Sequence, residues 1–227
     1  MKTRLLLTFL FVIVFVTSNG CGGSGGSAGR YVIPGDIPDA TGTGTGTGIN
    51  VTDPDALITS AWEDFKYGAY SSAIGKFNQV LAISNLSDVQ KAQANNGLGW
   101  SYTKSAGLES GYSYFSQATS VLDEARVGLA SAIIRRSQKS GFTQAVSLLE
   151  QVGIGNTSFR FQSVHPVGVS NAEAHALLAF AYFWRNSSGD QEKARAQISV
   201  ARTEDGSSDG TVAQIYNSLR NMGLSGI

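Results

Sequence analysis

The residues that most often carry catalysis or metal binding are sparse in this 227-residue chain. Its two histidines, His165 and His175, are ten positions apart and have no cysteine near them. A zinc site needs three or four His, Cys or carboxylate ligands, which this pair does not supply. No serine occurs in a Gly-x-Ser-x-Gly sequence, the turn that presents the nucleophile of an α/β-hydrolase. We therefore expect a protein that is not an enzyme and uses no metal and no cofactor, with His165 in a loop and His175 packed on a helix.

Two acidic pairs, Asp123-Glu124 and Glu204-Asp205, are the remaining candidates for acid–base chemistry. Glycoside hydrolysis, for example, needs two carboxyl groups that face each other across a cleft. Both pairs fall at expected helix ends, where the helix dipole or the solvent accounts for an acidic side chain. We therefore interpret both pairs as structural.

The overall composition narrows the class of protein. Seventeen basic and seventeen acidic residues give a formal net charge of zero. Nucleic-acid binding is therefore not expected, because it relies on a basic excess that neutralises phosphates. A hydrophobic fraction of 42% is enough for a folded core, and a single cysteine excludes a disulfide framework.

The first twenty residues have the pattern of a signal peptide. Lys2 and Arg4 are followed by residues 5–16, of which only Thr8 is polar. This apolar stretch is too short to cross a bilayer as a helix but has the length of a signal-peptide core. We therefore predict a signal peptide over residues 1–20, followed directly by Cys21, the single cysteine.

The residues around Cys21 resemble the lipobox of bacterial lipoproteins, in which a small residue precedes the cysteine that receives the lipid. Gly20 and Cys21 match this motif, whereas Ser18 stands where the family usually has leucine. The resemblance implies a lipidated Cys21 that anchors the chain in a bacterial cell envelope, and Gly22 after it implies the outer membrane. The alternative is ordinary signal-peptidase cleavage, which leaves a free thiol near the N-terminus.

Residues 21–50 form the expected tether between the membrane and a folded domain at 53–227. Eleven of the 27 glycines lie in residues 20–48, including four successive Thr-Gly pairs at 41–48. Such a segment has high backbone entropy and little apolar surface, so we expect it to be disordered. Its glycines follow no predicted strand and open no predicted helix, so a nucleotide-binding loop is not expected.

The domain at 53–227 has the pattern of an all-α fold. Asp53 and Pro54 form a helix start, with an N-cap carboxylate and a proline at the first helical position. Ser87 and Gln90 are spaced as the capping box of another helix. Apolar residues recur with a helical period along the domain. A final amphipathic helix is predicted from Val212, Ile215, Tyr216, Leu219 and Met222.

Triplets of a small, a large and a small residue at positions i, i+4 and i+7 recur four times in this domain. Small residues let two helices approach closely, and the large residue fills the space beside them. Two segments of the form Leu-small-x-x-Tyr, at 98–102 and 178–182, mark other helices of the same pattern. The four triplets are Ala73, Phe77 and Val80; Gly111, Phe115 and Ala118; Ala145, Leu149 and Val152; and Ala194, Ile198 and Ala201.

This pattern resembles the tetratricopeptide repeat (TPR), in which helical hairpins stack into a superhelix. The resemblance implies four degenerate TPR-like repeats and a C-terminal capping helix, because a single hairpin cannot bury its apolar face alone. The aligned triplets begin 38, 34 and 49 residues apart, and residues 153–171 form an insertion that is expected to be extended. Asp64 and Arg136 depart from the family pattern, since they stand where an apolar residue and a tyrosine are usual.

The same resemblance implies a surface that binds a protein or peptide partner. TPR arrays usually bind extended peptides along the concave surface formed by the first helix of each repeat, and tryptophan is a typical anchor at such surfaces. The aromatic residues either line this groove or pack between successive repeats, and Trp100 is the preferred groove residue. The residues carried over to this surface are Trp62, Phe65, Asn96, Trp100, Lys104, Phe180, Phe183 and Trp184.

Two functions from different classes follow from these features. The first is a lipid-anchored scaffold of the cell envelope that binds a protein or peptide partner in the concave groove. The second is an envelope protein that binds a small molecule or a glycan between the aromatics and the insertion at 153–171. The scaffold predicts an open, continuous groove, whereas the ligand-binding protein predicts an insertion folded over the aromatics.

Overall fold

The computed structural model describes residues 53–136 and 138–227. The predicted signal peptide, Cys21 and the tether lie outside these residues. Within them the chain forms nine α-helices and one short 3-10 helix and no β-strand, which confirms the predicted all-α class. None of the described helices is both long enough and apolar enough to span a bilayer. The helices are α1 Pro54–Lys66, α2 Tyr70–Leu81, α3 Asp88–Ala106, the 3-10 helix Leu108–Gly111, α4 Tyr112–Ala118, α5 Asp123–Arg136, α6 Lys139–Val152, α7 Asn171–Arg185, α8 Asp190–Glu204 and α9 Gly210–Asn221.

Both predicted helix starts are confirmed. The Asp53 side chain accepts a hydrogen bond from the backbone N–H of Asp55 at 3.0 Å, and Pro54 is the first helical residue. At α3, Ser87 and Gln90 each accept a hydrogen bond from the other's backbone N–H, at 3.2 and 3.1 Å. These contacts satisfy N–H groups that the first turn of a helix leaves without a partner.

The helices pair in chain order into four antiparallel hairpins, α1/α2, α3/α4, α5/α6 and α7/α8. Each first helix also contacts the first helix of the next hairpin, so that α1, α3, α5 and α7 form one continuous inner layer. The last helix, α9, lies against α7 and α8, in the place that a fifth first helix would take. The structure therefore has the predicted TPR-like superhelix with a C-terminal capping helix.

The predicted triplets form the contacts that hold the hairpins together. All twelve of their residues are buried. The phenylalanines of the first two triplets lie so close to the neighbouring first helices that only glycine fits there. A Cβ at Gly97 would lie 2.1 Å from the ring of Phe77, and Cβ atoms at Gly99 and Gly128 would lie 2.5 and 2.6 Å from the ring of Phe115.

At both positions that depart from the family pattern, the charged side chain forms an ion pair. Asp64 stays partly exposed and forms a salt bridge with Lys76 at 2.7 Å. Arg136 lies 3.6 Å above the ring of Tyr112 and pairs with Glu109 at 2.6 Å. A charged residue is accommodated at these positions because each lies near enough to solvent to find a partner of opposite charge.

Candidate functional site

The concave face of the array, formed by α1, α3, α5 and α7, is covered by part of the chain itself. We call residues 153–170, between α6 and α7, the α6–α7 loop. Its His165 contacts Trp62 of α1 and Glu124 of α5, and a side chain at Gly168 would meet Lys104 Nζ of α3 at 3.1 Å. The predicted insertion therefore contains no strand and crosses the inner layer. The open, continuous groove predicted for a scaffold is thus wrong for this structure, in which the insertion folds over Trp62.

His165 occupies a site built by the first three hairpins. Its ring stacks on the indole of Trp62, with 3.8 Å between ring centroids and 9° between planes. Its Nδ1 lies 2.7 Å from Glu124 Oε2, and its backbone N–H donates to Glu124 Oε1 at 2.7 Å. Asn96 Nδ2 of α3 donates to Glu124 Oε2 at 2.8 Å. We call Trp62, Asn96 and Glu124 together the His165 site.

The buried carboxylate of Glu124 is the electrostatic centre of this site. Its side chain is only 6% exposed. Burial raises the pKa of Glu124, but the side-chain and backbone hydrogen bonds from His165 and the hydrogen bond from Asn96 together lower that pKa below its ordinary value. Glu124 is therefore ionised near neutral pH, and its charge depends on the donors that surround it.

The rest of the α6–α7 loop is held by side chains and by buried apolar contacts. Gln197 Nε2 donates to the backbone oxygen of Gly155 at 3.1 Å, and Asn171 Oδ1 accepts from the backbone N–H of Phe161 at 2.5 Å. The apolar side chains that the loop buries are Ile154, Phe161, Val167 and Val169. The array thus binds the α6–α7 loop through the loop's own backbone groups and through its alternate apolar side chains.

His175 has the helix-packing role that was predicted for it. It is fully buried in α7, where its Nε2 donates to the backbone oxygen of Phe159 at 3.2 Å and its Nδ1 contacts the side-chain amide of Gln197. Among the described residues, no group of three or more His, Cys, Asp or Glu side chains is placed to hold a metal ion. His165 contacts Trp62 and Glu124, whereas His175 contacts Gln197 and the backbone oxygen of Phe159, so the two histidines share no partner among these contacts.

The preferred groove residue, Trp100, does not lie in an open groove. Its side chain is 1% exposed and meets the ring of Phe115 edge-on at 5.0 Å, so the prediction that it is an exposed anchor is wrong. Phe65 and Phe180 are likewise buried in aromatic packing. For Trp100, the close approach of α3 and α5 to Phe115 at Gly99 and Gly128 accounts for its burial, because Trp100 packs on that same ring.

The other predicted site residues fall in three places. Trp62 and Asn96 belong to the His165 site, and Lys104 is partly buried beside the loop. Burial lowers the pKa of Lys104, while the charge of Glu173 acts in the opposite direction. Phe183 and Trp184 are at the end of α7, where Trp184 is 42% exposed. Their ring contacts are with each other, Phe142 and Phe180, none of which belongs to the His165 site.

The exposed end of α7 forms a second aromatic group. The ring of Trp184 is stacked on Phe142 of α6, with 5.9 Å between centroids and 14° between planes. Phe183 meets Trp184 at a right angle at 6.0 Å, and Phe180 lies 6.1 Å from it. One face of Trp184 is therefore covered by Phe142.

Sequence reasoning missed the two residues that define the site. Glu124 was interpreted as a helix-end carboxylate and His165 as a loop residue, and both descriptions are true of their local positions. Their contact joins residues 41 positions apart in sequence. Neither residue type nor spacing signals such a pair; the length of the insertion before α7 and the repeat positions of Trp62 and Asn96 are the features that pointed to this region.

A cleft of about 310 Å³ opens beside His165. It lies between α1, α3 and the α6–α7 loop, and its walls include Trp62 and His165 together with the carboxylates of Asp55 and Glu63. The described residues that line it include no Lys or Arg. The approach to the His165 site from this side is therefore acidic.

Comparison with known proteins finds a distant structural similarity. No protein-family model matches the sequence, and no curated protein does. A crystal structure described as a kinesin light chain of Podosopora anserina with nearly identical TPR-like repeats is similar over 77% of this chain and 89% of that chain. The two sequences are 17% identical and the TM-score is 0.49. A similarity at this level carries no function from one protein to the other.

Proposed function

We propose that this chain is a lipid-anchored scaffold of a bacterial cell envelope that binds an extended segment of a protein partner along its concave face. One observation carries the proposal: the concave face already holds an irregular peptide segment, the α6–α7 loop. Stacked helical repeats offer an extended surface and no catalytic groups of their own. The segment that they hold here is continuous with the chain, and a partner segment uses the same contacts.

The contacts of the loop explain how such a face binds a segment. Glu124 of α5 accepts a hydrogen bond from the backbone N–H of His165, a group that every peptide residue except proline possesses. Buried positions for Val167 and Val169 select apolar side chains at alternate places. Backbone contacts supply affinity and side-chain positions supply specificity, the division of roles that peptide-binding surfaces generally show.

A photo-crosslinking experiment in cells tests this proposal. Thr59 of α1 is exposed and lines the cleft beside His165, so it stays on the concave face whether or not the loop is in place. A photoreactive phenylalanine analogue at position 59 is expected to give one discrete protein adduct, and the same residue at Tyr67, which is 76% exposed at the turn between α1 and α2, serves as the matched control. Equal adducts at both positions, or none at position 59, would contradict binding along the concave face.

The membrane anchor is tested separately, through Cys21. We expect the full chain to incorporate labelled palmitate and to fractionate with the outer membrane, and both properties to be lost in Cys21→Ala. A double acyl anchor holds a protein stably at a membrane, whereas an unlipidated chain is released. A Cys21→Ala variant that behaves like the wild type would instead support ordinary signal-peptide cleavage.

The second candidate function is binding of a small molecule or a glycan. It is favoured by the α6–α7 loop, which folds over Trp62 as this alternative predicted, and by the cleft of about 310 Å³ beside it. The cleft is at the lower end of the range for ligand pockets, and the stacked face of Trp62 is already occupied by His165. A thermal-shift screen tests this candidate: a stabilising compound whose effect is lost in Glu63→Gln but kept in Trp184→Phe would assign it to the cleft.

A further inference from the structure

We infer that the His165 site recognises an arginine side chain of the partner segment, which takes the place of His165 when the partner displaces the α6–α7 loop. This inference rests on the proposed function, because it names the side chain that the partner brings to the concave face. It follows from the shape of the site, from its charge and from one polar atom that His165 leaves without a partner.

The shape of the site fits a flat group with N–H donors along its edge. His165 lies parallel to the indole of Trp62 at 3.8 Å, and the carboxylate of Glu124 meets the edge of its ring at 2.7 Å. A guanidinium group is planar, stacks on indole and carries its donors in the plane, where they match a carboxylate. The tetrahedral ammonium of lysine cannot stack and donate in this way at the same time.

The charge of the site requires a cation. When His165 leaves, the described contacts of Glu124 are reduced to the hydrogen bond from Asn96. With the loop in place the Glu124 side chain is 6% exposed, and a partner segment that takes the place of the loop buries it again. A buried carboxylate without a counter-charge is strongly destabilising, so positive charge on the incoming side chain favours the complex. The adjoining cleft adds the carboxylates of Asp55 and Glu63 and thereby repels an acidic segment.

An unpartnered acceptor accounts for the choice of arginine over histidine. Asn96 is fully buried, its Nδ2 donates to Glu124, and its Oδ1 has no hydrogen-bond donor among the described residues. His165 directs one ring nitrogen to the carboxylate and has none left on that edge. Guanidinium has five N–H donors, so it can serve Glu124 and Asn96 together. The loop is therefore an incomplete occupant, which a partner can replace.

The experiment uses the full chain carrying His165→Ala, which removes the side chain that fills the site and leaves Trp62, Asn96 and Glu124 in place. The probes are fluorescein-labelled synthetic peptides with the sequence of residues 160–170 that carry H165R, H165K, H165A or H165E. Fluorescence anisotropy is expected to show that the H165R peptide binds about tenfold more tightly than the H165K peptide, since a bidentate charged contact adds roughly that factor. Adding Glu124→Gln to the protein removes this preference.

The outcomes separate this inference from the proposed function. Binding of all four peptides with similar affinity, or an arginine preference that persists in Glu124→Gln, overturns the inference and leaves the proposed function standing. Absence of binding by every peptide counts against both, because the concave face then does not accept a segment from outside. Thermal melting of each protein variant confirms that it is folded before binding is measured.

A second measurement, made within the chain itself, tests the inference without the peptides. Hydrogen exchange of residues 160–170 is compared in full chains that carry H165R, H165K or H165A. We expect H165R to keep the protection of the wild type and H165A to exchange about tenfold faster, with H165K close to H165A. An H165R chain that exchanges as fast as H165A overturns the inference.

Discussion

Replacing Gly99 with alanine tests the packing that joins the second hairpin, because Gly99 is where α3 meets the ring of Phe115 in α4. A Cβ at this position would lie 2.5 Å from two ring carbons of Phe115, well inside the contact distance of carbon atoms. The ring has no free space to move into. A Cβ at Gly128 of α5 would lie 2.6 Å from the same ring, which is fully buried between the two helices.

The expected loss of stability follows from two opposing effects. Forcing a methyl group into a filled core costs about 1–3 kcal/mol, and alanine returns up to about 1 kcal/mol through its helix propensity. Gly99→Ala should therefore destabilise the domain by about 1–2 kcal/mol. Gly75, on the exposed side of α2, is the matched control, because a Cβ there meets nothing within 4 Å. Gly75→Ala should stabilise the domain by about 0.5–1 kcal/mol.

Urea denaturation of the full chain measures this difference, with the two variants and the wild type compared at equal m-value. For a chain of this size each kcal/mol corresponds to about 2–4 °C, so the two alanine variants, which should differ by about 1.5–3 kcal/mol, should melt about 3–12 °C apart. A Phe115→Leu change in the Gly99→Ala background should recover part of the loss. Gly99→Ala as stable as Gly75→Ala would refute the close approach of α3 and α4.

Three further predictions concern buried charge and buried aromatic rings. Arg185 lowers the pKa of Asp190 through its hydrogen bonds, so Asp190→Asn should destabilise the domain by about 3 kcal/mol at pH 7. In urea titrations at several pH values, this loss of stability should shrink as the pH falls below the ordinary aspartate pKa of 3.8. Glu124→Ala should also destabilise the domain by about 3 kcal/mol at pH 7, and it should release the α6–α7 loop, which limited proteolysis can detect. The Glu124 carboxylate stabilises the fold above its ordinary pKa of 4.5, and this stabilisation is lost as the pH falls below that value. Trp100→Ala should destabilise the domain by about 3–5 kcal/mol and Trp184→Ala by less than about 1 kcal/mol in thermal melts, and the reverse order would contradict the burial of Trp100.

The hairpins of this protein were predictable because their signals are local. A capping residue acts within one turn, as Ser87 and Gln90 do, and a triplet such as Ala73, Phe77 and Val80 lies on one face of one helix. Each signal depends on residues at most seven positions apart. Repetition of the same signal four times then indicates stacking, since each hairpin exposes an apolar face that only its neighbours can cover.

The site was predictable only in part. Trp62 and Asn96 were placed on the concave face by their positions in the repeats, and the structure brings both to the His165 site. The same rule placed Trp100 on this face, yet Trp100 is buried because α3 packs closely against its neighbours. The glycines that meet Phe115 allow this close approach, which is a contact between helices that no single helix specifies.

The helices, their order and the four hairpins were predictable from the sequence, because capping and the amphipathic period act over short distances along the chain. The long-range contacts were not predictable in this way: the insertion covers the concave face, and His165 meets Glu124, only in the folded array. Those two residues are 41 positions apart, and their contact depends on the superhelical curvature that brings α1, α5 and the α6–α7 loop together. A long-range pair of this kind is stable only when the surrounding fold removes water from it and supplies a third donor, which here is Asn96.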